Sequence, residues 1–188
     1  MRTMFLVMLG AALPAALAGQ PPQGSCTHRG TAADLARRAS PLDSVQLAVD
    51  GATLKVCYGR PSASARLIMG GLVPFGQPWR LGANEPTRLV LPFAADVAGV
   101  HVEPGTYSLY VVPQKTSWEV HVNKAVDRWG IPIDEEVQAQ DAGKGTVPVE
   151  TMAQPVEQLT LSLVAGSPTE LVVEWEKTRV RIPIRKTG

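Results

Sequence analysis

Apolar and polar residues alternate at every second position through most of the chain, the period of a strand with one buried face. Val45, Leu47 and Val49 alternate with Gln46, Ala48 and Asp50, and Leu54, Val56 and Tyr58 alternate with Thr53, Lys55 and Cys57. Asp50-Gly51 between these runs predicts a two-residue hairpin turn, because both residues tolerate positive φ. The alternation resumes over 87–93 and is brief over 97–102. It returns over 106–112 after the Glu103-Pro104-Gly105 turn, and 117–123 follows with Trp118, Val120 and Val122 on one face. The pattern weakens over 137–149, then is clear again over 157–163, 170–176 and 179–185. A tight turn at Lys177-Thr178 would set Glu176 opposite Arg179, Trp175 opposite Val180 and Glu174 opposite Arg181. Such a hairpin carries two opposite-charge pairs on one face and an apolar pair on the other.

One stretch, 31–39, has helical character. Thr31 can cap it, Asp34 lies in the first turn, Arg37 and Arg38 suit the C-terminal end, and Pro41 stops it. About nine or ten short strands with turn signals and one short N-terminal helix predict an all-β protein, an antiparallel β-sandwich with jelly-roll-like or barrel-like closure as variants.

Residues 59–86 break the alternation. They are rich in Gly and Pro, yet carry Arg60, Arg66, Trp79, Arg80, Asn84 and Glu85. A connector this long inside a compact domain either serves a function or is disordered, and its aromatic and apolar residues argue against disorder.

The chain opens with Arg2, a nearly uninterrupted apolar run over 4–13, and Ala16-Leu17-Ala18. This is the pattern of a signal peptide over 1–18 with cleavage before Gly19, and the apolar run is too short for a membrane span. The sequence therefore predicts a periplasmic or secreted protein with an N-terminal tether and short helix over 19–39 and a single β-sandwich domain over 40–188. Lipidation at Cys26 is the other export route, though Gln-Gly-Ser before it is a poor lipobox. Of 18 Lys and Arg residues against 17 Asp and Glu, Arg2 leaves with the leader. The mature chain is then formally neutral, without the basic concentration that nucleic acid or an anionic membrane requires.

Two cysteines, Cys26 and Cys57, fall outside the leader. In an oxidising compartment a lone pair reads first as a disulfide, with two independent thiols as the alternative. The Cys57 side chain lies on the strand face opposite Leu54, Val56 and Tyr58, where an N-terminal segment could cover it.

The candidate chemistry is in the connector. Pro86 holds Glu85 extended, and Asn84 and Gly82 tolerate tight turns. Arg60, Arg80, Asn84 and Glu85 are the candidate ligand-binding residues: two guanidinium groups able to fork a carboxylate or phosphate, with an amide and a carboxylate suited to a polar or glycan-like ligand. The equally natural alternative is an anchor in which Glu85 pairs with Arg60 or Arg80 and Asn84 bonds backbone groups, tying the connector to the sheet. Glycoside hydrolysis requires two carboxylates across the bond, and this connector supplies one. His101 and His121 occupy outward strand positions and read as solvated surface residues rather than metal ligands. There is no G-x-S-x-G elbow, P-loop or dinucleotide fingerprint, and nothing calls for a cofactor. Trp118 and Trp175 read as core; Trp79 and Trp129, in turns, plug the sandwich end or form a carbohydrate platform. Tyr107, after Pro104-Gly105-Thr106, has the setting of a tyrosine that staples a corner.

Several phrases, Ser40-Pro-Leu-Asp-Ser44, Tyr58-Gly-Arg-Pro-Ser62, Gly70-Gly-Leu-Val-Pro-Phe-Gly76, Trp79-Arg-Leu-Gly-Ala-Asn-Glu85, Pro104-Gly-Thr-Tyr-Ser-Leu109 and Trp175-Glu-Lys-Thr-Arg179, resemble the bacterial family known as domain of unknown function 2911. The likeness spans roughly residues 40–184. It implies an exported single-domain β-protein and brings no catalytic assignment. Residues and resemblance together predict a non-enzymatic binding module whose partner is a small polar ligand or an envelope protein, with an envelope hydrolase using Glu85 or a purely structural component as the alternatives.

Overall fold

The computed structural model describes residues 26–187; the expected leader and the start of the tether lie outside them. The elements in order are α1 (Ala32–Ala36), β1 (Leu42–Val49), β2 (Ala52–Gly59), β3 (Thr87–Leu91), β4 (Ala95–Val97), β5 (Val100–Val102), β6 (Gly105–Pro113), β7 (Ser117–Asn123), α2 (Glu135–Gln138), β8 (Asp141–Val164) and β9 (Thr169–Lys186). The strands form one antiparallel sheet in the order β1-β2-β3-β6-β7-β8-β9-β4-β5. The sheet folds over on itself as a sandwich, and with β1 and β5 at the two ends of the order it stays open.

Strand β8 makes the fold-over. Residues 141–148 pair with β7 and residues 149–164 pair with β9, so one strand belongs to both layers. Between the layers lies a continuous core in which Leu54, Val56, Leu89, Leu109, Val111, Trp118, Val120 and Val122 meet Leu159, Leu161, Leu171, Val173, Trp175 and Ile182. Period-two alternation is the cause: every second side chain of each strand faces the opposing layer.

The β1–β2 turn adopts the expected form, with Asp50 at φ 48° and Gly51 at φ 79°. Residues 97–102 are not one strand but a hairpin turning at Ala98-Gly99, with φ 50° and 85°. Ala98 is an uncommon occupant of a left-handed position, which hid the turn in the sequence. The hairpin expected at Lys177-Thr178 is absent. Strand β9 continues through it, with Glu176 in the left-handed region at φ 51° where the β8 register shifts between Thr151 and Val156. The charges that would have matched within a hairpin find carboxylates elsewhere: Arg181 bonds Glu150 and Glu170, and Arg179 bonds Glu174. Over 137–149 the chain forms the short helix α2, capped by Asp134, and then enters β8.

The N-terminal segment is not a loose tether over its described part. Cys26 forms a disulfide with Cys57, their Cα atoms 5.6 Å apart. Helix α1 carries a full capping box between Thr31 and Asp34. The segment over 26–40 is thus a strap fixed to the outer face of β2. Tyr107 staples its corner by donating to the Glu103 carbonyl at 2.9 Å.

Candidate functional site

The connector 60–86 is ordered because both layers bond it. Its start pairs with β8, where the Ala63 N–H donates to the Glu157 carbonyl at 2.8 Å and the Leu159 N–H to the Pro61 carbonyl at 2.9 Å. Its middle returns to β6, where Trp79 and Val111 exchange backbone bonds of 2.7 and 2.9 Å. Residues 80–86 bulge out before Thr87 rejoins β6 opposite Leu109. Leu81 and Asn84 take φ 54° and 63° in this bulge. The bulge folds back onto the end of β2, and a side chain at Gly59 would overlap the Ala83 carbonyl.

The four residues singled out in the sequence do not converge as one group. Arg60 donates to the Leu159 carbonyl and the Thr160 hydroxyl, each at 3.1 Å, and lies 3.5 Å from Asp43. Asn84 donates its side-chain amide to the Ser40 carbonyl at 3.0 Å, and its own carbonyl accepts from Gly130 N–H at 2.9 Å. Glu85 is buried, and its partner is neither Arg60 nor Arg80. Arg38 of the strap donates to both its carboxylate oxygens, at 2.7 and 2.8 Å, and the Arg29 N–H adds a third bond at 2.6 Å. The sequence offered no sign of this pairing, because Arg38 reads locally as a helix-end charge. Burial pushes the Glu85 carboxyl up, but the bonds from Arg38 and Arg29 outweigh it and hold the group below the usual glutamate range. A carboxyl held ionised and enclosed in this way is poorly suited to general acid chemistry, so the arrangement gives a hydrolase role for Glu85 no support.

Arg80 differs from the other three. Its Nε is buried without a hydrogen-bond partner, and burial pulls its pKa down. Its side chain packs against Gly130, where any Cβ would overlap its Cδ.

Two aromatic assignments resolve. Trp79 plugs the sandwich: it stacks on Trp175 with ring centroids 5.7 Å apart and meets Trp118 edge-on at 5.8 Å. Trp129 is 44% exposed and lies under the Arg38 guanidinium, 5.8 Å from its ring centroid.

The expected surface histidine at 121 is instead buried. It does lie on the outward face of β7, but side chains of β6, β7 and the start of β8 enclose it. There His121 bonds Asp141 at 2.7 Å and Glu119 at 2.9 Å and stacks on Tyr110. His101 remains exposed on β5 beside Asp96. Among the described residues no three His, Cys, Asp or Glu side chains gather as a metal site. None of their helices is long and apolar enough to cross a membrane.

A cleft of about 330 Å³ opens at the end of the sandwich that holds the β6–β7 turn. Met69 and Phe75 of the connector form one wall, Trp118 the floor, and Gln114, Lys115, Thr151 and Lys177 the rim. The wall is pre-shaped. Ile68 is fully buried as an anchor, and the bonds from Gly70 N–H to the Val73 carbonyl and from Val73 N–H to the Ile68 carbonyl lock the turn at 2.8 and 2.9 Å. The sequence marked the connector but not the rim residues, because they come from three separate segments, the β6–β7 turn, β8 and β9.

No curated protein and no solved structure matches the chain. The family model described as Protein of unknown function (DUF2911) matches residues 40–184, well over half of the chain, and the protein belongs to that family.

Proposed function

We propose that the protein is an exported, non-catalytic binding module whose domain spans 40–188 and whose connector builds the binding end. The cleft carries this reading. Its volume lies at the lower end of small-molecule sites, and it combines an apolar wall with a few polar groups at the rim. Lys115 and Lys177 are exposed there and make no ion pair among the described residues. The fitting ligand is small, with an apolar face and a hydroxylated or acidic edge, as in a glycan or a short acidic amphiphile. Leu67 and Leu72, 65% and 48% exposed on the same connector turn, extend the apolar surface toward a larger partner.

Export rests on the 1–18 pattern, and the Cys26–Cys57 disulfide is consistent with an oxidising compartment. Within this reading Arg60, Asn84 and Glu85 lie outside the cleft lining and hold the two ends of the connector in place, since each is bonded inside the chain.

Calorimetric titration with octanoate and with a neutral oligosaccharide tests the proposal. Saturable binding of either, lost in Phe75→Ala, is expected, and weakening in Lys115→Ala and Lys177→Ala would identify the acidic ligand. Absence of binding to both, or binding indifferent to Phe75→Ala, would remove it.

A further inference from the structure

The cleft at the β6–β7 end sorts charge. Among the described residues its lining contains Lys115 and Lys177 and no acid. Three acids adjoin lining residues in sequence, and all are committed elsewhere. Glu119 and Glu150 fall on the opposite side of their strands from Trp118, Val149 and Thr151, as strand alternation requires. Glu119 pairs with Lys144 at 3.0 Å, and Glu150 accepts from Arg181 at 3.1 Å. Glu176, next to Lys177, accepts the Ile68 N–H at 3.3 Å. Lys115 and Lys177 are both exposed and make no ion pair among the described residues.

The apolar part of the cleft is shaped before any ligand arrives. The Phe75 ring lies over Gly70, where a Cβ would come within 2.8 Å of its Cε2 atom. The Gly76 N–H donates to the Pro113 carbonyl at 2.8 Å and ties that wall to the end of β6. The turn carrying Lys115 is closed by the Gln114 N–H on the Ser117 carbonyl at 2.8 Å. It is held to β8 by the Val149 N–H on the Thr116 carbonyl at 3.0 Å. Walls fixed in this way lose little freedom on binding. The remaining polar lining is Gln114, Thr151 and Thr178, one amide and two hydroxyls with no carboxylate, a sparse set for the many hydroxyls of a sugar. A cationic ligand would meet two like charges.

We infer that the cleft takes an anionic amphiphile tail first: an alkyl carboxylate whose chain lies against Met69, Phe75 and Trp118 and whose head group stays at the rim with Lys115 and Lys177. The inference rests on the binding-module reading and names its ligand class and pose. Burial of the chain supplies the affinity, and the lysines choose the charge. Both ammonium groups are exposed, so salt screens them and the preference for an anion weakens as ionic strength rises.

The mature protein is titrated by calorimetry at low ionic strength with octanoate, 1-octanol and octylammonium, and with hexanoate to read the tail. Octanoate is expected to bind about fivefold more tightly than octanol, and octylammonium more weakly than either. Hexanoate is expected to bind roughly tenfold more weakly than octanoate, for two methylenes fewer. Combining Lys115→Gln with Lys177→Gln should bring the octanoate-to-octanol affinity ratio close to one. Octanol bound as tightly as octanoate, with both lost in Phe75→Ala, overturns the inference and leaves the cleft reading standing, as does binding of a neutral oligosaccharide alone. A preference for octanoate that survives the double substitution overturns it too, and hexanoate as tight as octanoate contradicts the tail-first pose. No binding of any of these compounds, the oligosaccharide included, removes the cleft reading and the inference together.

Discussion

The Arg38 guanidinium grips the Glu85 carboxylate with two bonds of 2.7 and 2.8 Å across 47 residues of sequence, both side chains nearly sealed from solvent. The pair locks the strap onto the connector bulge, and the Arg29 carbonyl accepts a further bond from the same guanidinium at 2.6 Å.

Removing one partner leaves the other as a buried unpaired charge. Arg38→Ala is expected to lower the unfolding free energy by about 3 kcal/mol, measured by urea denaturation. A loss below about 0.5 kcal/mol would mean that water reaches Glu85 far more freely than this packing allows.

The same pair sets a pH dependence. The native pKa of Glu85 lies below its unfolded value, so its contribution is complete above the ordinary glutamate range. It is lost as pH falls through the depressed native value. Glu119, held down chiefly by the Lys144 bond, contributes in the same direction. Glu85→Gln is expected to flatten the acid side of the stability profile between pH 5 and about pH 2; an unchanged slope there would contradict the assignment.

The Cys26–Cys57 link closes a loop across a separation of 31 residues. Its loss is expected to reduce stability by about 3–4 kcal/mol in the chain-entropy account. Hydrogen exchange at the Arg29 N–H, which bonds Glu85 only while the strap is docked, should accelerate in Cys26→Ser. Thiol titration of the denatured, unreduced protein should find neither sulfhydryl free.

Trp79 joins the connector to both layers through Trp118 on β7 and Trp175 on β9. Trp79→Ala is expected to cost about 3 kcal/mol and to erase much of the near-ultraviolet circular dichroism. Retention of that signal would show that the Trp79 ring contacts do not generate it.

Most strands were legible because their physics is local. Val45, Leu47 and Val49 must share a face whatever they pack on, and Asp50-Gly51 turns by its own backbone preference. Errors fell where two long-range answers satisfied one local pattern. Alternation around Lys177-Thr178 suits a hairpin and an unbroken β9 equally, since Arg181 would face Glu174 across a hairpin and in the unbroken strand bonds Glu150 of β8 and Glu170 of β9. His121 alternates outward on β7, but the Tyr110 ring and the Asp141 carboxylate that enclose it come from the flanking strands β6 and β8.

The sequence by itself determined the all-β class, the core tryptophans Trp118 and Trp175, the cysteine pair and the presence of a structured connector. Each follows from side-chain period, composition or turn chemistry, which act over a few residues or count the whole chain. Only the tertiary structure decided that Glu85 answers to Arg38, that Arg80 packs against Gly130, and that Phe75 and Lys177 line one cleft. Such relationships depend on which distant segments the folded sheet brings within a few ångströms, and no local pattern encodes that distance.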